Sequence, residues 1–255
     1  MDKALNEDEP EVEIGRDAPE AGRILVILHQ AHSRPGRIGE RLEQRGYALD
    51  IRRPALGEAL PAHLDDHAGA VVFGGPMSVN DPLPWMRDEI DFVGKVMAAD
   101  LPLLGVCLGA QIMAVQLGAK VAHHAEGVSE IGYYPLVPTE LGRDLLPWPS
   151  HVYHWHSEGF DLPRGSDLLA QGDTFPNQAF RHGHNAFGLQ FHPEVTQDMM
   201  CRWATRGAHH LTKPGAQPGD QHLAGWSRYD PAVCHWLDCF LDSWLGLTMK
   251  PGKPR

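Results

Sequence analysis

Three things are scarce in this chain. Among its 255 residues cysteine occurs four times, at Cys107, Cys201, Cys234 and Cys239. Those positions have neither the C-x-x-C spacing of a zinc site nor the density of a disulfide scaffold, so a reducing, cytoplasmic setting is expected. Long apolar runs are missing too. Ile24–Leu28 is typical of the longest, far short of the roughly eighteen residues that cross a bilayer, which excludes a membrane-spanning role. Basic charge is the third shortage: 22 Lys and Arg face 33 Asp and Glu, a net charge of −11. Binding to a phosphate backbone needs clustered Lys and Arg, so nucleic acid is not an expected partner.

What remains is an ordinary globular composition, 42% hydrophobic and 22% charged with a mean hydropathy of −0.32, long enough for a sizeable core. Much of the acidic excess sits in residues 1–22, where Asp2, Glu7, Asp8, Glu9, Glu11, Glu13, Asp17 and Glu20 face Lys3 and Arg16. That segment has little to bury and is expected to be a disordered acidic tail, without the basic start and apolar centre of a signal peptide. A single domain is expected over 23–248, with a loose end over 249–255.

From Arg23 the chain alternates short apolar runs with amphipathic stretches, which predicts an α/β fold: an open, mainly parallel twisted sheet with helices on both faces. Ile24–Leu28, Tyr47–Ile51, Ala70–Phe73 and Leu101–Val106 read as strands. Ile38 and Leu42 share one helical face, and Met86, Ile90, Val93 and Met97 form a second stripe at helical spacing. Beyond Gly118 the pieces turn short and β-like, at Val121 onward, Ile131–Val137, His151–Trp155, Leu168–Ala170, Gln178–Arg181 and Gly188–Phe191. These predict a small antiparallel extension before the chain returns to the main sheet. Thr196–Arg206 reads as a helix, 207–225 as a loop, and Val233, Leu237, Phe240 and Trp244 as a last helical stripe.

The chemistry concentrates in Gly105-Val-Cys-Leu-Gly-Ala-Gln111. An apolar strand runs straight into G-x-C-x-G and a helix-forming segment follows, the context of a nucleophile elbow with cysteine at the turn. A Cβ at 105 or 109 would collide with the adjoining strand or helix. A helix N-terminus favours thiolate over thiol, which suits Cys107 for attack. The other three cysteines lack such surroundings.

A thiol nucleophile gains from an imidazole to handle protons and an acceptor to orient the imidazole. Gln190-Phe-His-Pro-Glu194 offers both, because His192 and Glu194 project to one side if the segment is extended. Acyl transfer also needs N–H donors for the oxyanion. Leu108 N–H, next to the nucleophile, is one candidate. Gly74-Gly-Pro-Met-Ser78 can present a second at Gly75, at the sheet edge where open α/β folds bind ligands.

These pieces, in this order, resemble the class I glutamine amidotransferase family. The resemblance runs through Gly74-Gly-Pro, the Cys107 turn and Gln190-Phe-His-Pro-Glu, with echoes at Glu130-Ile-Gly-Tyr133, Trp155-His-Ser-Glu158 and Gln178-Ala-Phe-Arg181. It is most like stand-alone members related to the glutaminase part of GMP synthetase. It covers Ala70–Thr196 well, 23–69 loosely, and neither the acidic tail nor the C-terminal stretch. The resemblance implies a flavodoxin-like sheet and a Cys107–His192–Glu194 triad hydrolysing the glutamine side-chain amide through a thioester. It further implies an oxyanion hole from Gly75 and Leu108, and Gln111 as a contact for bound glutamine. Related sequences often carry Asp where this chain has Glu158.

No G-x-x-x-x-G-K-[ST] loop is present. The ammonia is therefore expected to pass to a separate ATP-using synthetase. One alternative is a free-standing γ-glutamyl hydrolase or peptidase using the same thiol, and another is a catalytically silent binding module. Sixteen histidines are the compositional oddity. His123, His124, His151, His154, His156, His182 and His184 lie at short spacings, but no Cys or carboxylate completes an evident ligand set. They are read as hydrogen-bonding residues, with neither a metal nor a cofactor expected.

Overall fold

The computed structural model describes residues 21–247. The acidic tail, apart from its last two residues, and the C-terminal end lie outside the described residues. The first half follows the expected alternation: β1 (Arg23–Ile27), α1 (Gly36–Gln44), β2 (Ala48–Arg52), β3 (His67–Val72), α2 (Pro84–Ala98), β4 (Leu103–Val106) and α3 (Leu108–Gln116). There follow β5 (Val121–His123), β6 (Glu130–Pro135), β7 (Val137–Pro138), α4 (Glu140–Leu145), β8 (His151–His156) and β9 (Glu158–Phe160). The chain closes with β10 (Ser166–Gln171), β11 (Ala179–His182), β12 (Ala186–Leu189), α5 (Gln197–Arg206) and α6 (Gly219–Trp244).

One sheet runs in the order β2-β1-β3-β4-β12-β11-β10-β7. Its first five strands are mutually parallel, and β11, β10 and β7 continue it antiparallel. Alternate residues of β1 face opposite ways, as strand geometry requires. Ile24, Val26 and Leu28 pack with Ile38 and Leu42 of α1 and Val233, Trp236, Leu237 and Phe240 of α6. Leu25 and Ile27 pack with Met86, Phe92 and Val93 of α2 and Ile112 and Met113 of α3. Helices therefore cover both faces, and central strands buried on both sides read as unbroken apolar runs. Two ribbons, β5–β9 and β6–β8, form the antiparallel extension.

Two expectations need correcting. Residues 207–225 are not a continuous loop, because α6 begins at Gly219. Its first turns bury His222 and Gly225 rather than aliphatic residues, so the apolar stripe that announces a helix starts only at Val233. The His192-Pro-Glu194 segment is a turn rather than extended chain, lying beyond the end of β12 at Leu189. Within α2 the buried face is Met86, Glu89, Phe92, Val93 and Val96, so a carboxylate occupies a core position.

Candidate active site

Strands β4 and β12 are parallel neighbours, with Val106 beside Leu189. Their carboxyl ends therefore deliver the segments carrying Cys107 and His192 to the same edge of the sheet. Cys107 has φ +52° and ψ −105°, a left-handed conformation that costs a residue with a Cβ of order 1–3 kcal/mol and is held by its surroundings. Its N–H donates to Leu189 O at 2.7 Å, and its own carbonyl accepts from Gln111 N–H at 3.0 Å. A Cβ on Gly105 would lie 2.6 Å from the Gly109 backbone, and one on Gly109 would strike the Val72 carbonyl. Those contacts explain the glycines on either side of the turn.

His192 Nδ1 sits 2.7 Å from Glu194 Oε1, with both side chains 4% exposed. Cys107 and His192 border the same point: a Cβ built on Gly74 would lie 3.0 Å from His192 Cε1 and 3.4 Å from Cys107 Cβ. The outward nitrogen, His192 Nε2, is buried without a hydrogen-bond partner, the open geometry common before substrate binds. Burial works against the imidazolium, but the Glu194 carboxylate and the Cys107 sulfur outweigh it and hold the His192 pKa well above its ordinary value. Cys107 itself is 6% exposed, and its sulfur lies 3.7 Å from Gln190 Nε2.

The two residues expected to supply oxyanion donors are neighbours. A Cβ on Gly75 would come within 3.0 Å of Leu108 Cδ2, and Leu108 N–H heads α3, where it has no intrahelical acceptor. Gln111, one helical turn after Cys107, donates through its amide nitrogen to Glu158 O at 3.1 Å and Gln190 Oε1 at 3.3 Å.

Two buried pairs were not legible in the sequence. His29, just after β1, contacts Gly74 O at 3.1 Å and Glu89 Oε1 at 2.9 Å. Arg37 holds the His192–Glu194 turn from behind: its N–H donates to Glu194 O at 2.8 Å, and its guanidinium reaches Pro193 O at 3.4 Å and Asp230 at 2.9 and 3.0 Å.

Glu130 also corrects the reading that no carboxylate joins the histidines. It lies 3.0 Å from His156 Nε2 and 3.5 Å from His154 Nδ1, and all three residues are buried. Zinc usually takes four donors, and among the described residues no fourth His, Cys, Asp or Glu joins this set. Hydrogen bonding accounts for the same atoms. His156 Nδ1 lies 2.9 Å from Glu158 O and its Nε2 3.0 Å from Glu130 and 3.1 Å from His154 Nδ1, while Gln178 Nε2 donates to Glu130 at 2.9 Å. Burial raises the Glu130 pKa, but His154, His156 and Gln178 reverse this and bring it to about 2. A cavity of about 330 Å³ between β6, β8 and α6 is lined by Tyr133, His151, Gln217 and Arg228 among others, and by none of the residues around Cys107.

The chain is similar to proteins of a known family. The family model for class-I glutamine amidotransferase matches residues 35–201. The glutamine amidotransferase-like protein YfeJ of Salmonella typhimurium is 33% identical over 184 residues, 68% of this chain and 76% of that protein. A glutamine-hydrolysing GMP synthase of Helicobacter pylori is 30% identical over 179 residues, 68% of this chain, which spans only 33% of that longer protein. Among solved structures, a glutamine amidotransferase from Thermotoga maritima superposes with a TM-score of 0.79 at 27% identity, covering 88% of this chain and 98% of that one. One from Methylobacillus flagellatus gives 0.83 at 24% identity over 92% and 98%, a likeness of fold.

Proposed function

The chain belongs to the class-I glutamine amidotransferase family, and from that premise we propose that it hydrolyses the side-chain amide of glutamine through a thioester on Cys107. The observation that carries this reading is His192, buried between the Glu194 carboxylate at 2.7 Å and the Cys107 sulfur that shifts its pKa. Cys107 Sγ attacks the amide carbon, forming the C–S bond as the carbonyl electrons move onto oxygen. Gly75 and Leu108 N–H groups receive that oxyanion. His192 passes a proton to the amide nitrogen, the C–N bond breaks and ammonia leaves. Water then attacks the γ-glutamyl thioester, His192 takes its proton, and glutamate departs with the thiolate restored. Glu194 keeps the imidazole oriented and supports its positive charge. Gln111 contacts the bound glutamine through its side-chain oxygen, its nitrogen being engaged elsewhere.

The ammonia acceptor is assigned to a separate ATP-using synthetase, in a cytoplasmic setting. Among the described residues no helix is long and apolar enough to cross a membrane. The test is ammonia and glutamate release from glutamine, γ-glutamyl amines and γ-glutamyl peptides, with Cys107→Ala as control. Release from glutamine that vanishes in Cys107→Ala, and co-purification of a synthetase, support the reading. Far better turnover of γ-glutamyl amines moves the assignment to a free-standing γ-glutamyl hydrolase. Full activity in folded Cys107→Ala overturns the thiol mechanism.

A further inference from the structure

Of the buried titratable pairs that the proposed chemistry does not use, His29–Glu89 lies nearest the expected oxyanion donors. His29 follows β1 and Glu89 lies in the first half of α2, and both side chains are fully excluded from solvent. A charged or polar pair at such depth is costly unless its bonds are complete. Among the described residues its only hydrogen bond outside the pair is to the carbonyl of Gly74, the peptide that immediately precedes the proposed oxyanion donor, and Glu89 Oε2 is buried without a partner.

We infer that His29, braced by Glu89, is a positioning residue that fixes the Gly74–Gly75 peptide so that its N–H faces the nucleophile. This rests on the glutaminase reading and names a device within that same site. The Gly74 carbonyl can only accept, so His29 Nδ1 must carry a proton and donate to it at 3.1 Å. The other ring nitrogen lies 2.9 Å from Glu89 Oε1, a contact that fixes the ring's orientation. Gly74 C=O and Gly75 N–H belong to one planar trans peptide and point in opposite directions. Pinning the oxygen on His29 therefore aims the N–H away from His29. Gly75 is wedged between the two partners: a Cβ there would lie 3.0 Å from His29 Cβ on one side and 3.0 Å from Leu108 Cδ2, at the elbow, on the other. Glycine at 74 and 75 leaves this peptide free to rotate unless something holds it, and Trp85, 5.7 Å from the His29 ring, packs the dyad in place.

The test separates the oxyanion donor from the thiol. His29→Leu removes the donor to Gly74, His29→Asn returns one near the position of Nδ1, and Glu89→Gln removes the brace. Losing one oxyanion donor costs roughly 10²–10³ in kcat. His29→Leu is expected to approach that loss with KM changed less than about twofold, His29→Asn to recover much of it, and Glu89→Gln to fall between. Alkylation of Cys107 by iodoacetamide forms no oxyanion and is expected to proceed at the wild-type rate in all three. Loss of alkylation in step with kcat would show general damage to the site and overturn the inference, as would His29→Leu with wild-type kcat. Crystal structures of wild type and His29→Leu give a reading that does not depend on turnover. The Gly74 carbonyl should rest on His29 in the first and rotate or lose its fixed direction in the second, and an unchanged peptide overturns the inference. A wild type that alkylates at Cys107 but releases no ammonia counts against the glutaminase reading instead.

Discussion

Replacing Glu194 by Gln keeps the shape of the turn beside His192 and removes one charge. Glu194 Oε1 lies 2.7 Å from His192 Nδ1, with both side chains 4% exposed. Little water is therefore present to replace the carboxylate. A hydrogen bond to a charged group contributes about 1.5–3 kcal/mol, which corresponds to roughly a ten- to two-hundredfold loss of kcat. The full contribution of general acid–base help, roughly 10²–10⁴, sets the ceiling. The electrostatic consequence has a definite sign. Burial depresses the His192 pKa while Glu194 and Cys107 raise it. With Glu194 neutral, burial gains weight and less His192 imidazolium forms beside Cys107, a change that the pH profile of alkylation reports. Stability follows by linkage. The folded pKa of His192 lies above its ordinary 6.5. The pair's stabilisation is thus complete below 6.5 and is lost as pH rises through the raised value, so the variant is expected to lose most stability in mildly acidic buffer. Steady-state kinetics, alkylation rates across pH and urea unfolding at two pH values measure these effects. Wild-type kcat together with an unmoved alkylation profile would refute the role given to the carboxylate.

Other expectations are simpler to check. Gly109→Ala drives a Cβ into the Val72 carbonyl, and overpacking of this kind costs about 1–3 kcal/mol, readable by urea unfolding. Asp230→Ala leaves the Arg37 guanidinium, 9% exposed, without its partner and loosens the turn bearing Glu194, with a loss approaching the roughly 3–5 kcal/mol seen for broken buried pairs. Its kcat should fall along with its melting temperature. Glu130→Gln removes a carboxylate whose pKa is lowered from 4.5 to about 2. The stabilisation from that group is present above 4.5 and lost as pH falls through about 2, so the difference from wild type should be full at neutral pH and fade in acid. Elemental analysis of the purified protein should find no stoichiometric metal at Glu130, His154 and His156, and a bound equivalent that disappears in His154→Ala would reverse that assignment.

The turn at Cys107 was legible because its requirements are local. A strand, two glycines that exclude Cβ atoms and a helix start fall within seven consecutive residues, Gly105–Gln111, and the packing of Gly109 on Val72 bears the glycine argument out. The parallel strands were readable for a related reason, since burial on both faces leaves an apolar run such as Ile24–Leu28. The start of α6 was not, because it buries His222 and Gly225 against the β6–β8 ribbon, and its sequence there resembles a loop. The buried pairs escaped for another cause. His29 and Glu89 are 60 positions apart and Arg37 and Asp230 193 apart, and nothing in either neighbourhood announces a partner that only the folded sheet supplies. Glu89 even sits on the apolar stripe of α2 one residue before Ile90, where spacing alone favours the isoleucine. Met86 and Val93 on that stripe are buried.

The central claim is a covalent bond between one sulfur and a glutamyl group. Mixing the protein with glutamine, quenching in acid within the first turnovers and mapping the modified peptide by mass spectrometry tests it directly. The account predicts a γ-glutamyl group on the peptide containing Cys107, sensitive to hydroxylamine and lost in Cys107→Ser. Glutamate release without any such adduct, or an adduct on Cys201, Cys234 or Cys239, would contradict it.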